Sequence, residues 1–186
     1  LYSLPTPNGV KVSILLEETG LAYEAHKVRF EQNDQLSPEF LSLNPNNKIP
    51  AIIDPNGPDG KPLELFESGA IVLHIAERFP GLLPADANAR ARAIMWMFAA
   101  LDTVEPPIVD RDVVENFEEG KSWQGERFEM VDERIRERLN QLSARLDDSE
   151  WLDGDFSAGD LLMVHVLQRL QGSEILQEFP NLSAYV

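Results

Sequence analysis

The sequence of 186 residues contains no cysteine and only three histidines. Without cysteine no disulfide can form, and no thiol of the protein can act as a nucleophile. The histidines at 26, 74 and 165 are far apart in the chain, so a zinc site is not expected. His165 falls in an apolar run, and we interpret it as a core histidine. Any sulfur chemistry must therefore come from a ligand.

Positive charge is also scarce, since 16 basic residues face 32 acidic ones and leave a net charge of −16. This balance argues against nucleic acid and against anionic membrane surfaces as partners. The longest apolar run, residues 93–101, is too short to span a bilayer. No signal peptide is visible, and we expect a cytoplasmic protein. The chain begins without methionine and ends soon after a helix-start pattern, so we expect residues to be missing at both ends.

Residues 1–80 mix short strands with short helices. The pattern predicts strands over 1–4 and 23–30, a hairpin of strands over 50–53 and 62–66, and helices over 10–19, 38–43 and 68–79. The weakly patterned segment 23–30 is typical of an edge strand. A βαβ unit, a helix and a ββα unit predict an α/β domain with a mixed sheet and a thioredoxin-like fold.

From residue 86 to 186 the pattern is helical throughout, which predicts a second, all-α domain. Apolar residues spaced by three and four predict long helices over 91–101 and 128–146, and Pro106-Pro107 is predicted to end the first. Ser157 and Asp160 form a capping box at the start of an apolar helix that we place at the centre of a bundle. The acidic segment 110–125 is predicted to be a mobile connection.

Two segments of the first domain suggest a binding site. Proline at 50 cannot donate to a sheet, so the strand end at Ile49-Pro50 is interpreted as facing a ligand. The predicted helix at Ser68 is followed three residues later by Ile71, which cannot complete a capping box. Its first N–H groups are therefore open to a carboxylate. The alternative is an ordinary serine N-cap with water on the remaining donors.

The chain resembles the cytosolic glutathione transferases over both domains. The motifs that carry the resemblance are Thr6-Pro7-Asn8-Gly9, the segment 44–52 (NPNNKIPAI), Phe66-Glu67-Ser68-Gly69-Ala70 and the capping box at Ser157. The first two are most similar to the bacterial Nu class and to the group that contains a yeast nitrogen-regulating prion protein. The resemblance implies glutathione as co-substrate, no metal, a helical domain that lines the pocket for the second substrate, and a homodimer.

The resemblance also implies roles for individual residues. Pro50 is the expected cis-proline, Ile49 pairs its backbone with the cysteinyl unit, and Glu67 and Ser68 hold the γ-glutamyl end. The remaining expected contacts are Gln35 and Lys48 towards the glycyl carboxylate, and Thr6, Asn8 and Arg127 at the sulfur. Thr6 stands where other classes have tyrosine, serine or cysteine, so thiol activation by hydrogen bonds is expected.

Each assignment has a structural alternative. Thr6 and Asn8 are also ordinary turn or capping residues, Lys48 a surface lysine, and Arg127 a partner of Glu129 or Asp132. Gln35 lies in a predicted loop. Three further residues could line the second pocket but have helical spacing that is equally typical of core or interface: Trp96, Met97 and Trp123.

Two classes of function remain open. One is an enzyme that conjugates glutathione to a small hydrophobic electrophile or uses it, as glutathione or glutathione disulfide, to reduce disulfides. The other is a non-catalytic glutathione-binding module that regulates or binds proteins, of which a structural dimerisation domain is the extreme case. The sequence does not choose between conjugation and reduction, although the Nu-class resemblance favours reduction.

Overall fold

The computed structural model describes residues 1–186, which divide into two compact units, Leu1–Pro80 and Gly81–Val186. The first unit has four strands and three helices in the predicted order. They are β1 (Tyr2–Ser3), α1 (Pro7–Thr19), β2 (His26–Lys27), α2 (Pro38–Leu43), β3 (Ala51–Asp54), β4 (Leu63–Phe66) and α3 (Ser68–Arg78).

The four strands form one mixed sheet in the order β2-β1-β3-β4. β1 is parallel to β2, and β3 is antiparallel to both β1 and β4. The thioredoxin-like topology and the edge position of β2 are confirmed. β2 is shorter than predicted at both ends, and after it Asp34 accepts hydrogen bonds from the N–H and the guanidinium of Arg29, at 2.9 and 2.8 Å, which close a turn.

Helices cover both faces of this sheet. α1 and α3 contact each other and bury Val12, Leu15, Ile71 and Val72. A second cluster lies under α2 and consists of Val28, Phe40, Ile49 and Ala51, with Tyr2, Leu4, Leu43 and Phe66 packed against it. The unit therefore has three layers, and the sheet is the middle one.

The second unit is entirely helical. Its helices are α4 (Ala87–Phe98), α5 (Glu105–Phe117), α6 (Gln124–Leu146), α7 (Ala158–Gln168), α8 (Glu174–Gln177) and α9 (Pro180–Tyr185), and a π-helical segment, Ala99–Val104, joins α4 to α5. α6 buries the predicted stripe, Val131, Ile135, Leu139, Leu142 and Leu146, and α7 is buried along most of its length. None of these helices, nor any in the first unit, is long and apolar enough to cross a membrane.

Two predictions for this unit are wrong. Pro106 and Pro107 do not end a helix but lie in the first turn of α5, into which the π-helical segment continues: the N–H of Glu105, just before the prolines, donates to the carbonyl of Ala100. The first half of the segment 110–125 is not a mobile connection, because α5 runs through it as far as Phe117. Arg111 holds that part to α6 by an ion pair with Asp132 at 3.1 Å.

The carboxylate of Asp160 organises the second unit. It is fully buried, and Oδ2 accepts from the N–H and the hydroxyl of Ser157, at 3.0 and 2.9 Å. Oδ1 accepts from the N–H of Leu152 at 2.9 Å and from the hydroxyl of Tyr185 at 2.8 Å. Burial and the nearby Asp160 charge raise the pKa of Tyr185, so its proton stays on the hydroxyl. One side chain thus joins α7, the loop before it and α9.

Replacing Asp160 with alanine is expected to destabilise the second unit strongly. The change leaves three buried donors without an acceptor, and each unsatisfied donor costs about 1–3 kcal/mol, so a loss of about 3 kcal/mol or more is expected. Urea unfolding followed by tryptophan fluorescence measures it, because all three tryptophans lie in this unit. Asp155→Ala, at an exposed acid nearby, is the control, and equal losses in both variants would contradict this account.

A second carboxylate, Asp54, ties the end of β3 to α3. Its Oδ2 accepts from His74 Nε2 at 2.8 Å and from Arg78 at 2.6 Å. Burial pushes the pKa of Asp54 up, but the hydrogen bonds from His74 and the Asn56 N–H, with the Arg78 charge, outweigh it and leave the pKa below its usual value. The lowered pKa stabilises the fold above the pKa of the unfolded state, and this stabilisation is lost as the pH falls through the folded pKa.

Asp54→Asn is expected to lower the free energy of unfolding by about 1 kcal/mol at pH 7. The difference from the unchanged protein should shrink towards zero as the pH falls below about 4, because protonation then removes from Asp54 the charge that the variant already lacks. Urea unfolding followed by circular dichroism at a series of pH values gives the measurement. Asp59→Asn, in the same hairpin turn but outside the ion pairs, is the control. A difference that does not depend on pH would refute the assignment.

Candidate functional site

Three chain segments meet at one edge of the sheet in the first unit. Tyr2 pairs with Ala51, and Ala51 pairs with Phe66, so these residues form a row across β1, β3 and β4. Because β3 is antiparallel to both neighbours, the residues after β1, before β3 and after β4 all leave the sheet on the same side of this row. We call this edge, with Thr6, Ile49-Pro50 and Glu67-Ser68, the site edge.

Thr6 is the N-cap of α1, and its Oγ1 accepts from the N–H of Gly9 at 3.2 Å. The helix therefore begins at Pro7, three residues before the predicted start, and Thr6 has the capping role that the structural alternative gave it. A hydroxyl that accepts one bond keeps its own hydrogen, so Thr6 can still donate to a ligand. A Cβ at Gly9 would lie 2.1 Å from the carbonyl oxygen of Leu4, so only glycine lets α1 start this close to β1.

Asn8 lies in the same turn, with an exposed side chain. Its Oδ1 accepts from Nζ of Lys11 at 2.9 Å, and Lys11 is fully buried. The sequence analysis missed Lys11. Its spacing of four residues from the buried Leu15 was the available signal, because it places the lysine on the inward face of α1.

The segment before β3 presents an unpaired backbone at the site edge. The Ile49–Pro50 peptide bond is cis, as the resemblance implied. The side chain of Ile49 lies in the core, while its N–H and C=O take no part in the hydrogen bonds of the loop. The buried Asn44, the first residue of the 44–52 motif, holds this loop by donating to the carbonyl of Lys48 at 2.7 Å.

The start of α3 differs from the serine N-cap alternative, which is wrong. Ser68 is the first helical residue, and Glu67 is the N-cap, with φ 69°, ψ 114° and no capping hydrogen bond from its side chain. The first helical bond runs from the N–H of Ile71 to the carbonyl of Glu67 at 3.0 Å. The N–H groups of Ser68 and Gly69 therefore point out of the helix without helical acceptors.

The site edge is suited to an anion although the whole chain is acidic. α1 and α3 both begin at this edge, so the partial positive charges of two helix N-termini lie at the same end of the sheet. The nearby lysine, Lys48, is exposed and forms no ion pair. No group of three or more His, Asp or Glu side chains is placed to hold a metal.

The remaining predicted residues have mixed surroundings. Gln35 lies in a 3₁₀ turn, Asp34–Leu36, and its Oε1 is buried without a hydrogen-bond partner. In the second unit Arg127 forms an ion pair with Glu118 at 2.6 Å rather than with Glu129 or Asp132. Asp132 is instead held by Arg111, which is why it is not available to Arg127.

The candidates for a second pocket are also dispersed. Met97 is buried in the core of the second unit, and Trp96 packs against Gly159 of α7. Trp123 is 52% exposed, with Lys121 over its ring. The core alternative therefore holds for Met97.

Two clefts in the first unit, of about 650 and 540 Å³, do not contain the site edge. The larger one lies around Leu1, His26, His74 and Arg78, and the smaller one beside α2. We place the candidate site at the site edge, because only there do unpaired backbone groups adjoin two helix N-termini.

Comparison with known proteins gives consistent matches. Residues 1–77 match the family model for the glutathione S-transferase N-terminal domain. The disulfide-bond oxidoreductase YfcG of Escherichia coli (strain K12) is 38% identical over 164 residues, which are 87% of this chain and 75% of YfcG.

Two solved structures superpose on nearly the whole chain. A glutathione transferase from Burkholderia graminis, with two glutathione molecules bound per subunit, gives a TM-score of 0.92 at 46% identity, over 99% of this chain and 80% of that one. The nitrogen regulation fragment of the yeast prion protein Ure2p gives 0.84 at 28% identity, over 99% of this chain and 88% of that one.

The positive φ of Glu67 generates a test of backbone strain at the site edge. A non-glycine residue in such a conformation costs about 1–3 kcal/mol, and glycine costs about 1 kcal/mol through the unfolded state. Glu67→Gly is therefore expected to leave the free energy of unfolding unchanged or to raise it by about 1 kcal/mol. Glu64→Gly, at an exposed position of β4, should lower it by about 0.5–1 kcal/mol. The measurement is chemical denaturation. If both glycine variants lose the same free energy of unfolding, the backbone at Glu67 is not strained.

Proposed function

This chain belongs to the glutathione S-transferase family, and we propose that it uses glutathione to reduce small disulfides, with conjugation to small hydrophobic electrophiles as its second activity. The family assignment confirms the resemblance read from the motifs, including its link to the yeast nitrogen-regulating protein. Disulfide reduction is put first because YfcG carries that activity in its name and the Burkholderia structure holds two glutathione molecules per subunit.

The observation that carries the proposal is the set of unpaired groups at the site edge. A tripeptide laid along this edge would pair its cysteinyl backbone with the free N–H and C=O of Ile49, beside Pro50. Its γ-glutamyl carboxylate would meet the N–H and hydroxyl of Ser68 at the start of α3, and its ammonium group would face Glu67. The Lys48 ammonium and the amide N–H₂ of Gln35, both donors, would lie towards the glycyl carboxylate.

In this arrangement the cysteinyl sulfur faces the first turn of α1. The Thr6 hydroxyl and the Asn8 amide N–H₂ can both donate to a thiolate. A free thiol has a pKa of about 8.5, and a hydrogen bond to a charged group is worth about 1.5–3 kcal/mol, which equals about one to two pKa units. Donors at this position would therefore make the thiolate a major species near pH 7 without a general base.

All the sulfur atoms that react belong to glutathione and to the disulfide substrate. The glutathione thiolate attacks one sulfur of the disulfide, a new S–S bond forms, and the second sulfur leaves as a thiolate that takes up a proton. A second glutathione thiolate then attacks the mixed disulfide at its glutathione sulfur and releases the other thiol. The products are glutathione disulfide and two thiols, so electrons balance and no cysteine of the protein is required.

The proposal extends to the parts of the protein outside the site edge. We assign glutathione binding to the first unit and the second substrate's surface to the second, and we place the enzyme in the cytoplasm as a homodimer. No step is assigned to Arg127, because Glu118 already holds its guanidinium.

Thiol activation is tested by parallel assays of glutathione with a dialkyl disulfide and with an aromatic halide. Thr6→Ala and Asn8→Ala should each lower kcat/KM about 10- to 100-fold, the range set by one charge-assisted hydrogen bond. Binding of glutathione, measured by calorimetry, should change much less. Thr6→Ser keeps the hydroxyl and is the matched control.

Three outcomes separate the hypotheses. Full activity in both alanine variants would show that the sulfur does not lie at α1. Binding of glutathione without turnover of either substrate by the unchanged protein would favour the non-catalytic binding module. Absence of any binding at millimolar glutathione or glutathione disulfide would overturn the proposal as a whole.

A further inference from the structure

A buried lysine lies directly behind the proposed sulfur site. Lys11 is on the inward face of α1, one turn after Asn8, and its side chain has no exposed surface. Removing an ammonium group from water costs several kcal/mol, and a buried apolar residue of similar size is often as stable or more so. The other long side chains that α1 buries, Val12, Leu15 and Leu16, are all apolar, so a lysine at this position is an exception that calls for a reason.

The contact of Lys11 determines the orientation of the Asn8 side chain. Nζ lies 2.9 Å from one polar atom of the Asn8 amide. An ammonium group has donors and no acceptor, so the atom that faces it must be the amide oxygen. The oxygen and nitrogen of an amide point in different directions from the same carbon. Fixing the oxygen inward therefore directs the N–H₂ group outward, on the exposed side of the turn.

We propose that Lys11 is a positioning residue for the reaction, which holds the Asn8 amide with its N–H₂ group towards the glutathione sulfur. The inference rests on the proposed function, in which that sulfur lies at the first turn of α1. Without Lys11, the exposed Asn8 amide can turn by 180° and present its oxygen, which repels a thiolate. The charge of Lys11 also polarises the amide it holds, which makes the N–H₂ group a stronger donor.

The test measures the pKa of the glutathione thiol when bound, from the ultraviolet absorbance of the thiolate over a pH series. Lys11→Met keeps the length of the side chain but removes the donor. We expect it to raise the bound thiol pKa by about one unit and to lower kcat/KM at pH 7 about 10-fold. Affinity for glutathione should change less than about 3-fold, because the tripeptide's other contacts remain.

Lys61→Met is the matched control. It removes one lysine from the same unit, at the exposed turn between β3 and β4 and therefore at the opposite end of the sheet from the site edge. It should leave the bound thiol pKa unchanged. Should Lys11→Met fail to fold, as judged by circular dichroism, Lys11→Gln supplies a second variant without the ammonium group, and the same rise in thiol pKa is expected.

A double-mutant cycle shows whether Lys11 acts through Asn8. If it does, Lys11→Met should add almost nothing to the rise in thiol pKa in a protein that already carries Asn8→Ala. Fully additive shifts would overturn the positioning role, as would a thiol pKa in Lys11→Met equal to that of the unchanged protein. If the unchanged protein itself does not lower the thiol pKa, the proposed function fails. If the unchanged protein lowers the thiol pKa and Lys11→Met lowers it equally, only the proposed role of Lys11 is overturned.

Discussion

The pairing of Ala51 with Tyr2 on one side and Phe66 on the other is the constraint on which the candidate site depends. It makes β3 a central strand that is antiparallel to both neighbours. The segments after β1 and β4, which leave the sheet, and the segment before β3, which enters it, are thereby brought to one edge. Thr6 and Ser68 meet there although more than 60 residues separate them in the sequence. α1 and α3 both begin at that edge, so their N-terminal N–H groups lie on the same side of the sheet. A shift of one residue in the register would turn every side chain of the shifted strand to the other face and displace these groups from one another.

The site also resolves an apparent conflict with the overall charge. A protein with a net charge of −16 repels anions at long range, yet the proposed ligand carries two carboxylates. The attraction at the site edge is local, because it comes from unpaired N–H groups and helix N-termini that act within the first turn of each helix. Their effect at hydrogen-bond distance exceeds that of distant, solvent-screened acids. The proposed thiol activation follows the same logic, since fixed neutral donors would stabilise a thiolate without adding a charged group to the surface.

Both units use a buried polar side chain to fix a local conformation. Asp160 accepts four hydrogen bonds and joins three segments of the second unit, and Lys11 fixes an amide in the first turn of α1. A buried polar group is costly to leave unsatisfied, so it holds its partners in one arrangement more strictly than an apolar contact does. In the second unit this holds the start of α7, and in the first unit it holds a residue of the proposed site.

The sequence by itself determined the element order of the first unit, the long stripe of α6 and the capping box at Ser157, because each depends on residues within a few positions of one another. It also placed proline at the start of β3 and the open N-terminus of α3. Only the tertiary structure decided that Glu67, not Ser68, caps α3, that 105–117 is helical and that Arg127 pairs with Glu118. These features depend on which distant segments pack together and on which acid reaches a given base first. Both depend on distances in the folded chain, which a pattern of neighbouring residues in the sequence does not determine.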